Sequence, residues 1–483
     1  MHRPPHDPPT FRPAPRGRRA IGPGPAALLG AVLAGCGGTP PPSVALITID
    51  TLRADHLGCY GYRRATSPGI DRLAAGGALF EHATATVPRT TQSIASILTG
   101  RFPKGHGARG LFSILSEANV TLAEILRARG FRTAAFTSNM FLTPEQGFAQ
   151  GFEVYDNPQR RWSGDSAGEV TAAALSWLDR HPPDAPFFLW VHYLDPHWSY
   201  QPSPPFDRMF DPEFDDTLTI YEDLALNRLT KGSVIFENRL ERRHVDHLVA
   251  LYDGEIAQVD RAIAPLLDRL AGIGRPVLTV LTSDHGESLG EHGYHFAHGE
   301  YLYEPELRIP LLFHLPGRIP AGLRAAEPAQ TIDVAPTILG LIGIDGLQAV
   351  DGRPLLLPGP TPRPAPGRAL LFAETDFQLI HPENRRWFLP GPAGKWSAAS
   401  DGRFKLIHIP GRDREMLELY DLQSDPGETR DLSGAAAAAE IRARLLRELK
   451  RFVDYDAGSP VLAAPDRLDP EWREGLRSLG YVN

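Results

Sequence analysis

Residues 277–299, VLTVLTSDHGESLGEHGYHFAHG, decide the fold. Residues 277–281 are apolar and partly β-branched, the composition of a short strand buried on both faces. The run ends in Thr282-Ser283-Asp284-His285-Gly286, and Glu287, Glu291, His292, His295 and His298 follow closely. A buried parallel strand delivers its last side chains to the crevice at its carboxyl end, where α/β proteins bind ligands. A carboxylate and an imidazole at that rim, followed by a Gly that lets the chain turn sharply, suit a divalent metal. Asp-His alone reads more readily as a solvated loop after a core strand; the Glu and His residues behind it turn the reading to the metal.

The other candidate ligands lie far away in sequence. Residues 44–49, VALITI, are a second apolar run, and Asp50 ends it as Asp284 ends the first. In the segment TVPRTTQSIASILTG, Thr90 is expected at the start of a helix, where backbone N–H groups favour an anion. Ser93, Ser96 and Thr99 recur every three residues and fall on one helical face. A hydroxyl at such an N-terminus, beside a metal, can serve as a nucleophile. Residues 186–193, PFFLWVHY, form a third strand carrying His192, and Leu194-Asp195-Pro196-His197 follows it.

The remaining pattern is a run of strands and helices. Helices are expected over 68–75 (with Ser67 as N-cap), 120–130, 170–178, 248–270, 333–341 and 435–453. Strands are expected over 133–136, 309–314, 369–375 and 403–409. Ile256, Val259, Ile263, Leu266 and Leu270 keep helical spacing, a core stripe. Residues 201–246 read as an irregular insertion over the site. The Pro- and Gly-rich stretch 354–368 suggests a boundary near 365. Together these give an α/β fold with a mixed, mostly parallel central sheet flanked by helices, then a small C-terminal antiparallel sheet with a helix over 366–483.

The formal charge of the chain is −8, while residues 1–35 hold five Arg and one Asp, a net of +4, so the rest carries −12. That balance argues against nucleic acid as the partner. The N-terminus reads as a targeting segment: a basic stretch with Arg12, Arg16, Arg18 and Arg19, a short apolar run over 26–33, then Leu33-Ala34-Gly35-Cys36. This resembles the lipobox of bacterial lipoproteins, which implies cleavage after residue 35, lipidation of Cys36, a tether over 36–43 and an exported, envelope-anchored protein. Only Cys59 then remains, so no internal disulfide is expected.

With these residues laid out, the chain resembles the sulfatase family of the alkaline-phosphatase superfamily over roughly residues 43–483. LITIDTLRADHLGCYGY, SIASILTGRFPKGHG, HYLDPHWSY, TSDHGESLGEHG, YEPELRIPLL, TIDVAPTILGLIG and ELYDLQSDPGETRDL match its motifs in order. The resemblance implies a catalytic domain over 44–365 and one divalent metal held by Asp50, Asp284, His285 and the Thr90 oxygen. A carboxylate–imidazole set favours Mn²⁺ or Zn²⁺ over Ca²⁺ or Mg²⁺.

The departures matter as much. Counting back from Leu98-Thr99-Gly100, Thr90 stands where the family has the Cys or Ser that becomes formylglycine, with Gln92 and Ile94 at the motif's Pro and Arg positions. No formylglycine is therefore expected. Asn139 and Phe141 replace a Lys and a His, His285 stands where many members have Asn, and His298 lies near a family Lys. Thr90 is assigned as nucleophile, His197 and His298 as candidates to protonate the leaving group, and Arg89, Asn139 and His192 as substrate-binding candidates. Asp55, His56 and Asp195 are candidates for outer partners or a second metal. The expected substrate is a small-molecule, glycan or lipid ester of sulfate or phosphate. Two other readings stay open: a transferase moving a phospho-group onto an envelope lipid or glycan, and a non-catalytic binding lipoprotein.

Overall fold

The computed structural model describes residues 41–157, 166–182, 185–215, 242–347, 349–375, 394–411 and 414–453. The targeting segment, Cys36, most of the tether and much of the expected insertion lie outside these residues. The described residues form one compact unit.

Eight strands make the central sheet: β1 (Ser43–Ile49), β2 (Ala78–Phe80), β3 (Arg132–Thr137), β4 (Val154–Asp156), β5 (Phe187–Tyr193), β6 (Val277–Ser283), β7 (Leu311–His314) and β8 (Leu323–Ala325). Their order is β8-β2-β7-β6-β1-β5-β3-β4. All pairings are parallel except those of β7, which runs against both β6 and β2.

The central strands are buried on both faces, and alternate residues enter two separate cores. In β1, Val44 and Leu46 point to one core, and Ala45, Ile47 and Ile49 to the other. The first core is closed by helices α2 (Thr90–Thr99), α3 (Leu122–Ala128) and α6 (Val334–Ile342). The second is closed by α1 (Pro68–Ala75), α4 (Ser166–Arg180) and α5 (Arg242–Ala271). Each buried Leu, Ile, Val or Phe contributes roughly 1.5–3 kcal/mol, so this doubly covered sheet is a rigid mount for whatever its strand ends carry. The predicted stripe of α5 is buried in the second core.

Four antiparallel strands, β9 (Leu371–Glu374), β10 (Ser397–Ser400), β11 (Phe404–Ile409) and β12 (Met416–Asp421), form the C-terminal sheet. Helix α7 (Ala439–Val453) covers one face through Leu445 and Leu449. The other face, with Ala398, Ile407 and Tyr420, joins the first core.

Local expectations differ from the structure in instructive ways. Ser67 is the N-cap of α1 by position, but its hydroxyl donates to Asp71 rather than accepting from the helix backbone. The insertion is shorter than expected, because α5 starts at Arg242. The strand expected over 309–314 is broken at Pro310, which has no N–H for a ladder, into Arg308–Ile309 and β7.

Candidate active site

Register brings the strand ends together. Ile49 pairs with both Tyr193 and Ser283, so Asp50 and Asp284 emerge side by side at the carboxyl edge of the sheet. After Asp50 the chain turns through Thr51, whose φ of 54° is left-handed. That conformation costs a non-glycine residue roughly 1–3 kcal/mol and persists only where the surroundings hold it. Here the Tyr252 hydroxyl donates to Thr51 O at 2.8 Å, and Thr51 N donates to Asp284 Oδ1 at 3.3 Å. Gly286 is needed for a different reason than the expected sharp turn: a Cβ there would lie 2.0 Å from Pro305 O.

Thr90 is the first residue of α2, with Arg89 as its N-cap. Every residue of this helix is buried. Ser93 Oγ donates to Asp284 O at 2.6 Å, pinning the helix to the end of β6. Thr90 Oγ1 thereby comes within 3.4 Å of Asp50 Oδ2 and 3.5 Å of His285 Nε2.

Asp50, Asp284 and His285 are wholly buried, with ligating atoms all within 4.8 Å of one another. Each is anchored on one side. Asp50 Oδ2 accepts from Asn139 Nδ2 at 2.6 Å, while Oδ1 lies 3.7 Å from His285 Nε2. Asp284 Oδ1 accepts from the His285 and Thr51 backbones, while Oδ2 is buried without a hydrogen-bond partner among the described residues. His285 Nδ1 lies 2.9 Å from Gly286 O, and a carbonyl can only accept, so the hydrogen sits on Nδ1 and Nε2 presents a lone pair. Burial, then the neighbouring Asp50, pushes the Asp284 carboxyl well above the usual carboxylate range. An orphaned carboxylate oxygen and an imidazole lone pair facing one point fit a divalent cation, which would relieve that cost.

The other candidates surround this centre. The His298 ring is tilted by 37° against that of His285, ring centroids 4.4 Å apart, and His197 lies edge-on to His298 at 5.0 Å. His298 Nδ1 is 3.0 Å from Glu287 Oε1, and His197 Nδ1 is 2.6 Å from Trp198 O. His192 is wholly buried with Nε2 3.6 Å from Asp50 Oδ2, and burial lowers its pKa to about 4, so it stays neutral. Asn139 sits in the site with its amide on Asp50, and its side-chain oxygen caps Phe141 N. The Arg89 guanidinium, also buried, donates to Glu300 Oε1 at 2.8 Å. His56 pairs with Asp253, Asp55 with Arg53, and Asp195 accepts from Ser166.

Sequence reading missed the partners that fix these groups. Glu287 stood in the acidic cluster but had no role; Glu300, Thr48 and Trp190 carried no signal at all. Each acts through a contact that only strand pairing or chain reversal creates.

Comparison with known proteins places the chain in a family. The family model described as Sulfatase matches residues 42–344. The N-acetylglucosamine-6-O-sulfatase of Bacteroides thetaiotaomicron is 25% identical, over 86% of this chain and 87% of its own. Human arylsulfatase A is 27% identical, over 86% and 88%. The phosphonate monoester hydrolase structure from Agrobacterium radiobacter shares the fold with a TM-score of 0.70 at 22% identity, covering 88% of this chain and all 100% of that one. The chain belongs to the sulfatase family within the alkaline-phosphatase superfamily, hydrolases of sulfate and phosphate esters.

Proposed function

We propose that this protein hydrolyses a sulfate or phosphate ester using Thr90 as nucleophile beside one divalent metal. The observation that carries the reading is the place of Thr90 Oγ1: first residue of a buried helix, 3.4 Å from Asp50 and 3.5 Å from His285. Asp50, Asp284, His285 and Thr90 would hold the ion, and their mixed carboxylate–imidazole character favours Mn²⁺ or Zn²⁺. A bound divalent ion acidifies a neighbouring hydroxyl and polarises an ester oxygen.

Thr90 Oγ1, its proton passing to solvent, attacks the sulfur or phosphorus opposite the leaving oxygen, forming one ester bond as the old one breaks. His298 or His197 delivers a proton to the departing oxygen, a contribution of about 10²–10⁴-fold for a positioned acid. Water then attacks the Thr90 ester at sulfur or phosphorus; one of its protons goes to the departing Oγ1, the other to the histidine spent in the first half, and sulfate or phosphate is released. A formylglycine hydrate has a second hydroxyl and can expel sulfate by elimination. Thr90 has none, so its ester must be opened by direct attack, which phosphoryl intermediates undergo readily. Phosphate esters and diesters are therefore substrates on the same footing as sulfate esters, although the curated relatives named above are sulfatases. Lipidation at Cys36 would hold the enzyme at the cell envelope, within reach of glycan or lipid esters.

The test is a paired assay of wild type and Thr90→Ala, each loaded with Mn²⁺ or Zn²⁺, on aryl sulfate, phosphate monoester, phosphodiester and phosphonate ester. Turnover of one class, abolished in Thr90→Ala with metal still bound, is expected. A mutant as active as wild type would remove Thr90 from the mechanism. Turnover only when an acceptor alcohol is supplied would identify a transferase.

A further inference from the structure

Behind the proposed metal site lies a buried chain of hydrogen bonds whose direction the chemistry fixes. Trp190 Nε1 can only donate, and it lies 3.0 Å from Thr48 Oγ1. Thr48 has one hydroxyl hydrogen and two groups in reach: Val191 O at 3.5 Å and His192 Nδ1 at 2.8 Å. The first distance is at the limit of a hydrogen bond and the second is near the optimum, so the hydrogen goes to His192. With Nδ1 accepting, the neutral ring carries its own hydrogen on Nε2. Nε2 has no hydrogen-bond partner among the described residues, and it faces Asp50 Oδ2 at 3.6 Å. The opposite tautomer would set an imidazole lone pair against a carboxylate oxygen, with both groups wholly buried.

Strand geometry produces this arrangement. Thr48 and His192 are paired residues of β1 and β5, and Trp190 lies two residues before His192 on the same face. All three, and Asp50, are wholly buried. Asp50 Oδ2 thus faces three donors, from Asn139, Thr90 and His192, while Oδ1 is turned towards His285.

We infer that Trp190, Thr48 and His192 form a relay that locks His192 in its Nε2–H tautomer and so orients Asp50 for metal binding, making His192 a positioning residue rather than a ligand or a substrate contact. The inference rests on the assignment of Asp50 as a metal ligand.

Two measurements test it on the full chain. In metal-free protein with ¹⁵N-labelled histidine, NMR should show His192 as the Nε2–H tautomer; an Nδ1–H signal would overturn the relay without any variant having to fold. Mn²⁺ affinity, read from free-ion paramagnetic resonance, should fall about 10- to 100-fold in Thr48→Val, the range typical of outer partners of metal ligands, and recover in Thr48→Ser. Unchanged Mn²⁺ affinity in a folded Thr48→Val would also overturn it. Wild type that binds no Mn²⁺ or Zn²⁺ would sink the metal-site reading itself, a failure separate from the tautomer result.

Discussion

Glu287 Oε1 lies 3.0 Å from His298 Nδ1, and both side chains are wholly buried. A two-stranded ribbon, Ser288–Leu289 against His295–Ala297, makes the contact: Ser288 pairs with Ala297, so the flanking Glu287 and His298 meet. A carboxylate on Nδ1 orients the ring and stabilises its doubly protonated form, which an acid catalyst needs.

Glu287→Gln should therefore lower kcat while leaving metal content unchanged. The loss should stay within the roughly 10²–10⁴-fold that a positioned acid contributes. It should grow as the leaving group becomes more basic, because poor leaving groups depend most on protonation. A series of aryl esters of graded leaving-group pKa checks this. Equal losses across the series would mean that Glu287 acts only on the fold.

A second expectation concerns the ion. Two buried carboxylates side by side are costly without a cation, and a ligand that binds only the folded state stabilises it by mass action. Chelation should abolish turnover and lower Tm, and added Mn²⁺ or Zn²⁺ should restore both. Asp284→Asn should bind the ion weakly and recover neither. A Tm indifferent to chelator in wild type would argue against a metal at this trio.

These strand-end groups were legible in sequence because parallel strands finish at one edge: an apolar run ending in Asp, found twice, is enough to bring Asp50 and Asp284 together. Thr90 was legible from helix-start chemistry. What failed to show was contact between side chains on paired strands. Thr48 and His192 are 144 residues apart, and Arg89 and Glu300 are 211 apart. The strand Ser397–Ser400 (SAAS) escaped notice because Ala and Ser have weak strand preference, and its pairing with β9 and β11 decides its state. The short edge strand β8 and the three-residue β2 likewise depend on neighbours rather than on pattern.

His106 gives a pH prediction away from the site. It is buried, Ala108 N donates to its Nδ1 at 3.1 Å, and Ser96 Oγ lies 3.2 Å from Nε2. Burial, with nearby Arg101 adding to it, lowers its pKa to about 3. Protonation would also place a hydrogen where Ala108 N–H already points. Below the ordinary histidine value of about 6.5 the unfolded chain binds the proton and the folded chain does not, so stability falls with pH through that window. The contribution is fully present above that value and is lost as pH drops towards 3. His106→Gln should flatten this part of the stability–pH curve in denaturant titrations. A curve with unchanged slope would mean that other groups set the acid limb.

The last prediction turns on a close approach. Gly299 has a φ of 102°, and a Cβ there would lie 2.0 Å from Arg89 Nε. The next residue, Glu300, holds that guanidinium and also accepts from the Tyr294 hydroxyl. Arg89 in turn directly precedes Thr90, at the N-cap position of its helix. Gly299→Ala must therefore strain the backbone and displace Arg89 together. The backbone alone costs roughly 1–3 kcal/mol, which thermal unfolding would register. Activity should fall further than that stability loss explains, because the displaced residue adjoins the nucleophile. Arg89→Lys separates the two effects. It keeps the charge, shortens the reach to Glu300 and leaves the Gly299 backbone alone, so it should lose turnover with little change in Tm. If Gly299→Ala lost stability but kept turnover when assayed below its Tm, the Arg89–Glu300 pair would be a structural brace with no bearing on Thr90.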